Sequence, residues 1–283
     1  MNISATARKS HGKARRAGNG SAVEAGGRAG FVARGVIYFL VGVLALRIAF
    51  GHGGGGGGKT ADRGGALSEI AQKPFGSVLL WVIGVALAGM ALWRLSEAAF
   101  GAAGPDGHKA TKRLASAGRA VFYGFVSYSV LMFAAGDRGS GSGASDARSQ
   151  DVTAKVLDLP GGRWLVAAGG VAIAAAGLWI AGRAVLRKYH KHLRMGEMSR
   201  TERRAVDVTG ILGGASRGLV FAVAGGFAVA AAVKARSGEA KGMDDTLRSF
   251  STTPAGPWLL ALVAVGLAAF GLFSLANARW RKI

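Results

Sequence analysis

The sequence contains no cysteine in its 283 residues and only five prolines. Without cysteine the chain has no disulfide framework, no thiol nucleophile, and no zinc or iron–sulfur site with cysteine ligands. Acidic residues are scarce too: 15 Asp and Glu stand against 36 Lys and Arg, a formal net charge of +21. So basic a chain is typical of nucleic-acid binding, yet half of its residues are hydrophobic and the mean hydropathy is +0.30. Charge and hydrophobicity are therefore segregated along the chain.

Six long apolar stretches separate the charged segments. A helix needs about 20 largely apolar residues to cross the roughly 30 Å hydrocarbon core of a bilayer. Stretches with few or no charges lie at 30–51, 75–93, 120–136, 164–182, 218–233 and 254–278. Buried helices of a soluble protein are the alternative, but they rarely remain uncharged over such lengths. The pattern predicts an all-α integral membrane protein with six transmembrane helices.

The basic residues predict the orientation of these helices. The tail 1–29 and the segments 94–119, 183–217 and 279–283 hold 23 Lys and Arg, whereas the alternate connections hold 11. Cytoplasmic segments of membrane proteins carry the excess of Lys and Arg. We therefore expect a plasma (inner) membrane protein with both termini in the cytoplasm.

Two sets of residues recur along the chain at a similar spacing. Prolines open the even-numbered helices at spacings of 86 and 94 residues, and arginines open the odd-numbered ones at spacings of 85 and 98. An aromatic residue follows each arginine by four positions. The prolines are Pro74, Pro160 and Pro254, and the arginines are Arg34, Arg119 and Arg217. Such self-similarity indicates a repeat architecture.

Each repeat is predicted to be a helix, an extracytoplasmic loop with a short interfacial helix, and a second helix. All three repeats start on the cytoplasmic side and are therefore parallel. The predicted segments are a disordered basic tail (1–29), repeat 1 (30–101), repeat 2 (115–186), a basic cytoplasmic linker (187–207) and repeat 3 (208–280).

The residues that carry these repeats also resemble a known family. The segments Gly30–Gly42, Gln72–Gly76 and Leu92–Ala98 look like the domain-of-unknown-function 1206 family, which comprises multi-pass membrane proteins common in actinobacteria. The resemblance covers about residues 28–282 and departs in repeat 2, where Ala120 replaces a glycine. It implies a six-span inner-membrane protein with three two-helix units. It brings no activity, substrate, cofactor or catalytic residue.

One stretch formally matches a nucleotide-binding motif. Gly53–Thr60 satisfies the phosphate-binding loop pattern G-x-x-x-x-G-K-[ST]. That chemistry needs a preceding strand and a following helix, whereas here a transmembrane helix precedes. A polyglycine linker is the simpler interpretation.

Five charged residues are the candidate functional groups. Arg34, Arg119 and Arg217, with Arg94 and Glu97, are predicted at similar depth near the cytoplasmic ends of their helices. Ionisable groups within a membrane are candidates for function, and a ring of them would gate a central path. The alternative is structural: arginines at helix ends reach lipid phosphates or neighbouring carbonyls. Their position near the ends favours this structural role, with an Arg–Glu97 pair locking adjacent helices.

Small residues recur at every fourth position of the fifth span. They are Gly210, Gly214, Gly218, Ala222 and Gly226. Such a stripe lets two helix backbones approach closely. Packing within the bundle is the ordinary explanation, and a homo-oligomer contact or an unknown membrane partner is the alternative.

No constellation of catalytic, metal-binding or cofactor-binding residues is discernible, so we expect no enzyme and no cofactor. The basic stretch Arg187–Arg204 favours anionic lipid headgroups over nucleic acid, because no aromatic interleaving supports the latter. The sequence predicts a non-enzymatic structural or partner-binding membrane module. The alternative is a transporter or channel for small solutes or ions that uses the three-repeat bundle.

Overall fold

The computed structural model describes residues 21–50, 61–101, 109–136, 145–234, 245–247 and 256–282. Within these ranges the chain is helical and forms no strand beyond a single antiparallel bridge between Leu193 and Arg281. The helices are α1 (Ser21–Ala49), α2 (Arg63–Ala71), α3 (Gly76–Phe100), α4 (Ala110–Ala134), α5 (Ser145–Leu157), α6 (Gly162–Val185), α7 (Arg200–Lys234) and α8 (Gly256–Trp280).

Six of these helices are long and apolar enough to cross a membrane: α1, α3, α4, α6, α7 and α8. They confirm the six predicted spans. Repeat 1 consists of α1 and α3, repeat 2 of α4 and α6, and repeat 3 of α7 and α8. The shorter helices α2 and α5 lie between the two long helices of repeats 1 and 2.

Two predicted boundaries need correction. Helix α1 begins at Ser21, so residues 21–29 of the predicted disordered tail are helical. Its first turns pack on α3, where Gly26 meets the backbone of Gly89. Helix α7 begins at Arg200 and takes up the end of the predicted linker 187–207.

The early start of α7 has a local cause. The Ser199 hydroxyl accepts a hydrogen bond from the Glu202 backbone N–H at 3.2 Å, and the Glu202 carboxylate accepts one from the Ser199 N–H at 2.9 Å. This reciprocal pair is a capping box, which satisfies two N–H groups that the first turn leaves free. The sequence Ser-x-x-Glu carries the signal.

The even-numbered spans all start in the same way, two residues after a proline. Helix α3 begins at Gly76 after Pro74, and α6 begins at Gly162 after Pro160. Gly76 lies so close to the end of α2 that an added Cβ would stand 2.9 Å from the Ala71 carbonyl oxygen. A glycine at this position therefore lets the chain turn back tightly from the loop helix into the span.

The loop helix α2 is folded into the bundle instead of lying at its interface. Its N-terminus is capped by Asp62, whose carboxylate accepts a hydrogen bond from the Gly65 N–H at 2.8 Å. Ala66 and Leu67 are fully buried. They pack into an apolar cluster with Leu44, Ala45, Leu80, Val130, Phe133, Leu247, Leu260 and Ala264. We call this set the apolar plug. In contrast, α5 leaves Val152 mostly exposed.

The six long helices lie side by side in the order α4, α3, α1, α8, α7, α6. The most extensive contacts join neighbouring repeats: α3 with α4, α1 with α8, and α6 with α7. Helices α4 and α6 are the two ends of this order, and over their described residues their backbones make little or no close contact. The bundle is thus an open arc with a lateral gap within repeat 2.

Glycines bring α6 and α7 together. An added Cβ at Gly218 would meet the Gly177 carbonyl oxygen at 2.6 Å, and Gly214 lies against Ala184. Ala222 lies against Gly177 in the same interface. Because a glycine leaves no side chain between the backbones, the two helices approach closely along this line.

Two members of the predicted stripe lie elsewhere. Gly210 faces Tyr189 and Phe273, so it packs on the linker and α8. Gly226 is a correction: an added Cβ would meet nothing within 4 Å, and the contact with α6 is made by Gly225. A strict four-residue spacing advances about 40° per step around a helix of 3.6 residues per turn, so the stripe leaves the interface after several steps.

Candidate functional site

Most arginines of the described residues lie at one end of the bundle, where α1, α4 and α7 begin and α3, α6 and α8 end. We call it the basic end, and the opposite end the loop end. At 1.5 Å per residue, Arg34, Arg119 and Arg217 each stand about 22 to 26 Å from the loop end of their own helix. The three predicted arginines therefore share one level of the bundle.

Arg34 on α1 makes only uncharged contacts. Its guanidinium donates to the Tyr123 hydroxyl at 3.2 Å and to the Ser274 hydroxyl at 3.0 Å. It also lies over two aromatic rings, with its Cζ atom 4.8 Å from the Phe31 centroid and 5.2 Å from the Phe270 centroid. Both kinds of contact orient the cation without neutralising it.

Arg217 on α7 is held in the same manner. Its Nε donates to the Tyr38 hydroxyl at 3.1 Å. Its Cζ atom lies 5.0 Å from the Phe270 centroid and 5.2 Å from the Phe221 centroid. Phe270 therefore contacts the guanidinium groups of both Arg217 and Arg34. We call the following set the arginine–tyrosine cluster: Arg34, Tyr38, Tyr123, Arg217 and Phe270.

The hydrogen bonds of this cluster follow the repeats. The arginine of repeat 1 binds the aromatic residue of repeat 2, and the arginine of repeat 3 binds that of repeat 1. The third link would join Arg119 to Phe221, which has no hydroxyl. Arg119 is exposed, and it forms no hydrogen bond or ion pair with any residue that the structure describes.

The cluster keeps its positive charge. Over the described ranges, no carboxylate lies within ion-pair distance of Arg34 or Arg217. Both guanidinium groups have planar N–H donors suited to carboxylates and phosphates. Arg34, Tyr38, Tyr123 and Arg217 are half-buried and not sealed in the core. This arrangement can bind an anion.

Arg94 and Glu97 play a different part. The Arg94 guanidinium binds the Glu97 carboxylate at 2.6 Å, and both side chains are largely buried. Arg94 also lies 4.1 Å from the centroid of the Trp93 ring. The Ser116 hydroxyl of α4 donates to the same carboxylate at 3.1 Å. The ion pair thus forms within α3 and links it to α4 through a serine, which is a structural contact.

At the basic end, two arginines that sequence reasoning missed bind helix ends. Arg28 donates to the carbonyl oxygens of Ala278 and Arg279 at 2.7 and 2.9 Å. Arg113 donates to those of Ala98 and Ala99 at 2.7 and 2.8 Å. A cation at a helix C-terminus satisfies unpaired carbonyls and complements the helix dipole. Each lies six residues before a repeated arginine, and that shared offset is the signal in the sequence.

Comparison with known proteins identifies three matching segments in the chain. A family model described as Domain of Unknown Function (DUF1206) matches residues 29–101, 114–187 and 212–281. The chain belongs to the DUF1206 family. Each match begins five residues before Arg34, Arg119 or Arg217, which makes these three positions equivalent in the DUF1206 unit.

The chain is also similar to a curated relative. It is 27% identical over 259 residues to "Uncharacterized protein YxxB" of Bacillus subtilis (strain 168), covering 91% of this chain and 90% of that protein. No solved structure matches this DUF1206 protein.

Asp207 on α7 binds the connection between repeats 2 and 3 of this DUF1206 chain. Its carboxylate accepts a hydrogen bond from the Tyr189 hydroxyl at 3.1 Å, contacts His190 Nε2 at 2.5 Å and lies 3.6 Å from Arg187. Burial, together with the Asp207 charge, raises the pKa of Tyr189 above its ordinary value. These contacts fold the connection back onto the bundle, where Leu193 is buried.

Further along the connection, His192 lies beside Arg281. Burial first, and then the Arg281 charge, lowers the pKa of His192 to about 4. Over the described part of the chain, no group of three or more His, Asp or Glu residues is placed to hold a metal ion. The glycine-rich stretch Gly53–Thr60 lies outside the described residues.

Proposed function

We propose that this DUF1206 protein is a non-enzymatic membrane module that binds an anion at the arginine–tyrosine cluster. The observation that carries the proposal is the pair Arg34 and Arg217, which both lie over the Phe270 ring and are oriented by neutral hydroxyls. Intramembrane cations without a carboxylate partner are costly, and such groups mark binding sites.

The chemistry of the cluster suits a carboxylate or phosphate group. A guanidinium presents N–H donors in a planar fork, and hydrogen bonds between two charged groups are the strong ones. Each tyrosine hydroxyl occupies one donor position of its arginine and leaves others unused. An anion bound between Arg34 and Arg217 would neutralise charge that the protein leaves uncompensated.

The apolar plug supports binding over free conduction. It fills the loop end with side chains that offer no hydrogen bonds to a hydrated ion, and Leu67 and Leu247 are fully buried in it. A transporter is the second candidate, because the cluster is half-buried at one level of a three-repeat bundle. In that case α2 would have to leave the plug during each cycle.

We also propose that the bundle spans the plasma membrane with its basic end on the cytoplasmic side. The uneven distribution of Lys and Arg supports this orientation. Because the native chain lacks cysteine, single cysteines introduced at positions 55 and 191 can be labelled from either side of sealed vesicles. A thiol reagent that does not cross the membrane, added outside the cell, should label the cysteine at position 55 and should not label the one at position 191. The reverse pattern would overturn the orientation.

Anion binding is tested by thermal unfolding in a neutral detergent. Inorganic phosphate or sulfate should raise the midpoint for the wild-type protein, because a ligand of the folded state stabilises it by mass action. Arg34→Gln and Arg217→Gln should abolish the rise. Arg203→Gln removes one exposed charge on α7 and is the matched control. An equal rise in all four proteins would contradict the proposal.

A liposome assay separates binding from transport. Under the binding proposal, proteoliposomes pass no radiolabelled phosphate or sulfate faster than empty vesicles. Flux that disappears in Arg34→Gln and Arg217→Gln, but persists in Arg203→Gln, would replace the binding proposal with the transport alternative.

A further inference from the structure

Repeat 2 is built differently from the other two repeats. Helices α1 and α3 pack on each other, as do α7 and α8, whereas α4 and α6 stand apart over their described residues. Helix α6 packs on α7 among the long helices, and most of its surface is exposed. The lateral gap therefore opens the arc toward the surrounding bilayer.

Two arginines stand at the basic end of this gap. Arg119 projects from α4 and is exposed. Arg183 lies in the last turn of α6, with its Cζ atom 5.9 Å from the centroid of the Trp179 ring. The charges of Arg94, Glu97 and Arg183 all act on Arg119. Arg119 and Arg183 are therefore close enough for their charges to interact. Neither forms an ion pair with a carboxylate in the described ranges.

Both arginines lie in the part of the span nearest the basic end. Arg119 lies about 22 Å from the loop end of α4, inside a hydrocarbon core of roughly 30 Å, so its long side chain must extend toward the basic end to reach a lipid headgroup. Arg183 lies three residues from the end of α6. The rest of both helices presents apolar side chains to their surroundings, among them Phe122, Phe125 and Leu178.

We propose that the lateral gap between α4 and α6 holds an anionic phospholipid, with its phosphate on Arg119 and Arg183 and its acyl chains along the two helices. This inference rests on the proposed function, because the lipid phosphate belongs to the class of anion proposed for the arginine–tyrosine cluster and would lie next to that cluster. Tyr123 links the two sites: it lies four residues from Arg119 on α4 and binds Arg34.

A lipid explains the gap better than a free anion. A soluble phosphate would be bound by the arginines alone and would leave the apolar sides of α4 and α6 without a partner. A phospholipid satisfies both, because its headgroup carries the negative charge and its chains bury apolar surface. The missing hydroxyl at Phe221 fits as well, because Arg119 then keeps its donors for the lipid phosphate.

The test uses the full-length protein in nanodiscs of equal parts phosphatidylglycerol and phosphatidylcholine. After transfer to detergent, native mass spectrometry counts the retained lipids. We expect phosphatidylglycerol to be retained preferentially, with a fivefold to tenfold loss of affinity in Arg119→Gln and in Arg183→Gln. Arg279→Gln should retain the lipid as the wild type does, because Arg279 is exposed at the end of α8, outside the basic stretch 187–204 and away from the gap. A phosphatidylglycerol with a diazirine in its acyl chain should cross-link to α4 and α6.

The outcomes separate this inference from the proposed function. Equal loss in Arg279→Gln, or cross-links confined to other helices, would overturn the lipid site. If inorganic phosphate stabilises the wild type through Arg34 and Arg217 while no lipid is retained, the lipid site alone fails. If phosphate stabilises none of the proteins, the proposed function itself fails.

Discussion

Arg34 on α1 donates a hydrogen bond at 3.2 Å to the hydroxyl of Tyr123 on α4, although these two helices are not neighbours in the order of the bundle. The two residues occupy equivalent parts of consecutive repeats, since each repeat has an arginine with an aromatic residue four positions later. Arg217 repeats the relationship with Tyr38. These two hydrogen bonds join all three repeats at one site.

Removal of the tyrosine hydroxyls should weaken this site. Tyr123→Phe and Tyr38→Phe each delete the acceptor of a charged donor, and such hydrogen bonds contribute about 1.5 to 3 kcal/mol. We expect a lower midpoint of thermal unfolding in detergent and a weaker response to phosphate. Tyr128→Phe is the matched control, because Tyr128 is mostly exposed on the same helix as Tyr123. If Tyr128→Phe lowers the midpoint as much as Tyr123→Phe, the contact to Arg34 has no special weight.

Loss of Glu97 should be far more damaging than loss of an exposed acid. Glu97→Gln leaves the Arg94 charge buried without its carboxylate, which costs about 3 to 5 kcal/mol. Glu24→Gln breaks the partly exposed pair with Arg28 and should cost about 1 kcal/mol or less. Chemical denaturation measures both. The double variant Arg94→Leu with Glu97→Leu should be more stable than Glu97→Gln, and the opposite order would show that the buried charge is not the cause.

Gly225 and Gly226 provide a neighbouring pair with opposite expectations. Gly225→Ala forces a methyl group against the backbone of α6 and should cost about 1 to 3 kcal/mol by overpacking. Gly226→Ala meets open space and should be neutral, or stabilise by up to about 1 kcal/mol through helix propensity. The unfolding free energies of the two variants decide this. Equal effects would mean that Gly225 does not set the approach of α6 and α7.

Acid should destabilise the protein through His192. Burial and Arg281 hold its folded-state pKa at about 4, below the ordinary value of about 6.5. The unfolded chain therefore binds a proton as the pH falls through 6.5 while the folded chain does not until about 4. Stability is fully present above pH 6.5 and declines between the two values. His192→Gln should flatten the dependence of the midpoint on pH over this window, and parallel curves would rule His192 out as the cause.

Much of the fold follows from the sequence because its signals are local. Length and charge-free runs define the six spans, and equivalent prolines and arginines define the repeats. The starts of α1 and α7 extend beyond the apolar stretches, because Ser199 caps α7 and Gly26 packs α1 on α3. Neither contact changes the hydropathy, so hydropathy places both boundaries too late.

The site was only partly accessible to the same reasoning. The repeat pattern indicates that Arg34 and Arg217 matter, but their partners come from other repeats, at sequence separations of 89 and 179 residues. The predicted structural role at helix ends belongs to Arg28 and Arg113. The burial of α2 and the separation of α4 from α6 depend on packing between distant segments, which periodicity alone does not report.

The central feature of the proposed function is an anion bound between Arg34 and Arg217. Crystals grown with selenate, a close analogue of sulfate, would report it by anomalous diffraction at the selenium edge. We predict an anomalous peak within hydrogen-bonding reach of both guanidinium groups beside Phe270, absent from crystals of Arg217→Gln. Peaks confined to the exposed basic stretch 187–204, with none at the cluster in the wild-type crystals, would contradict the account.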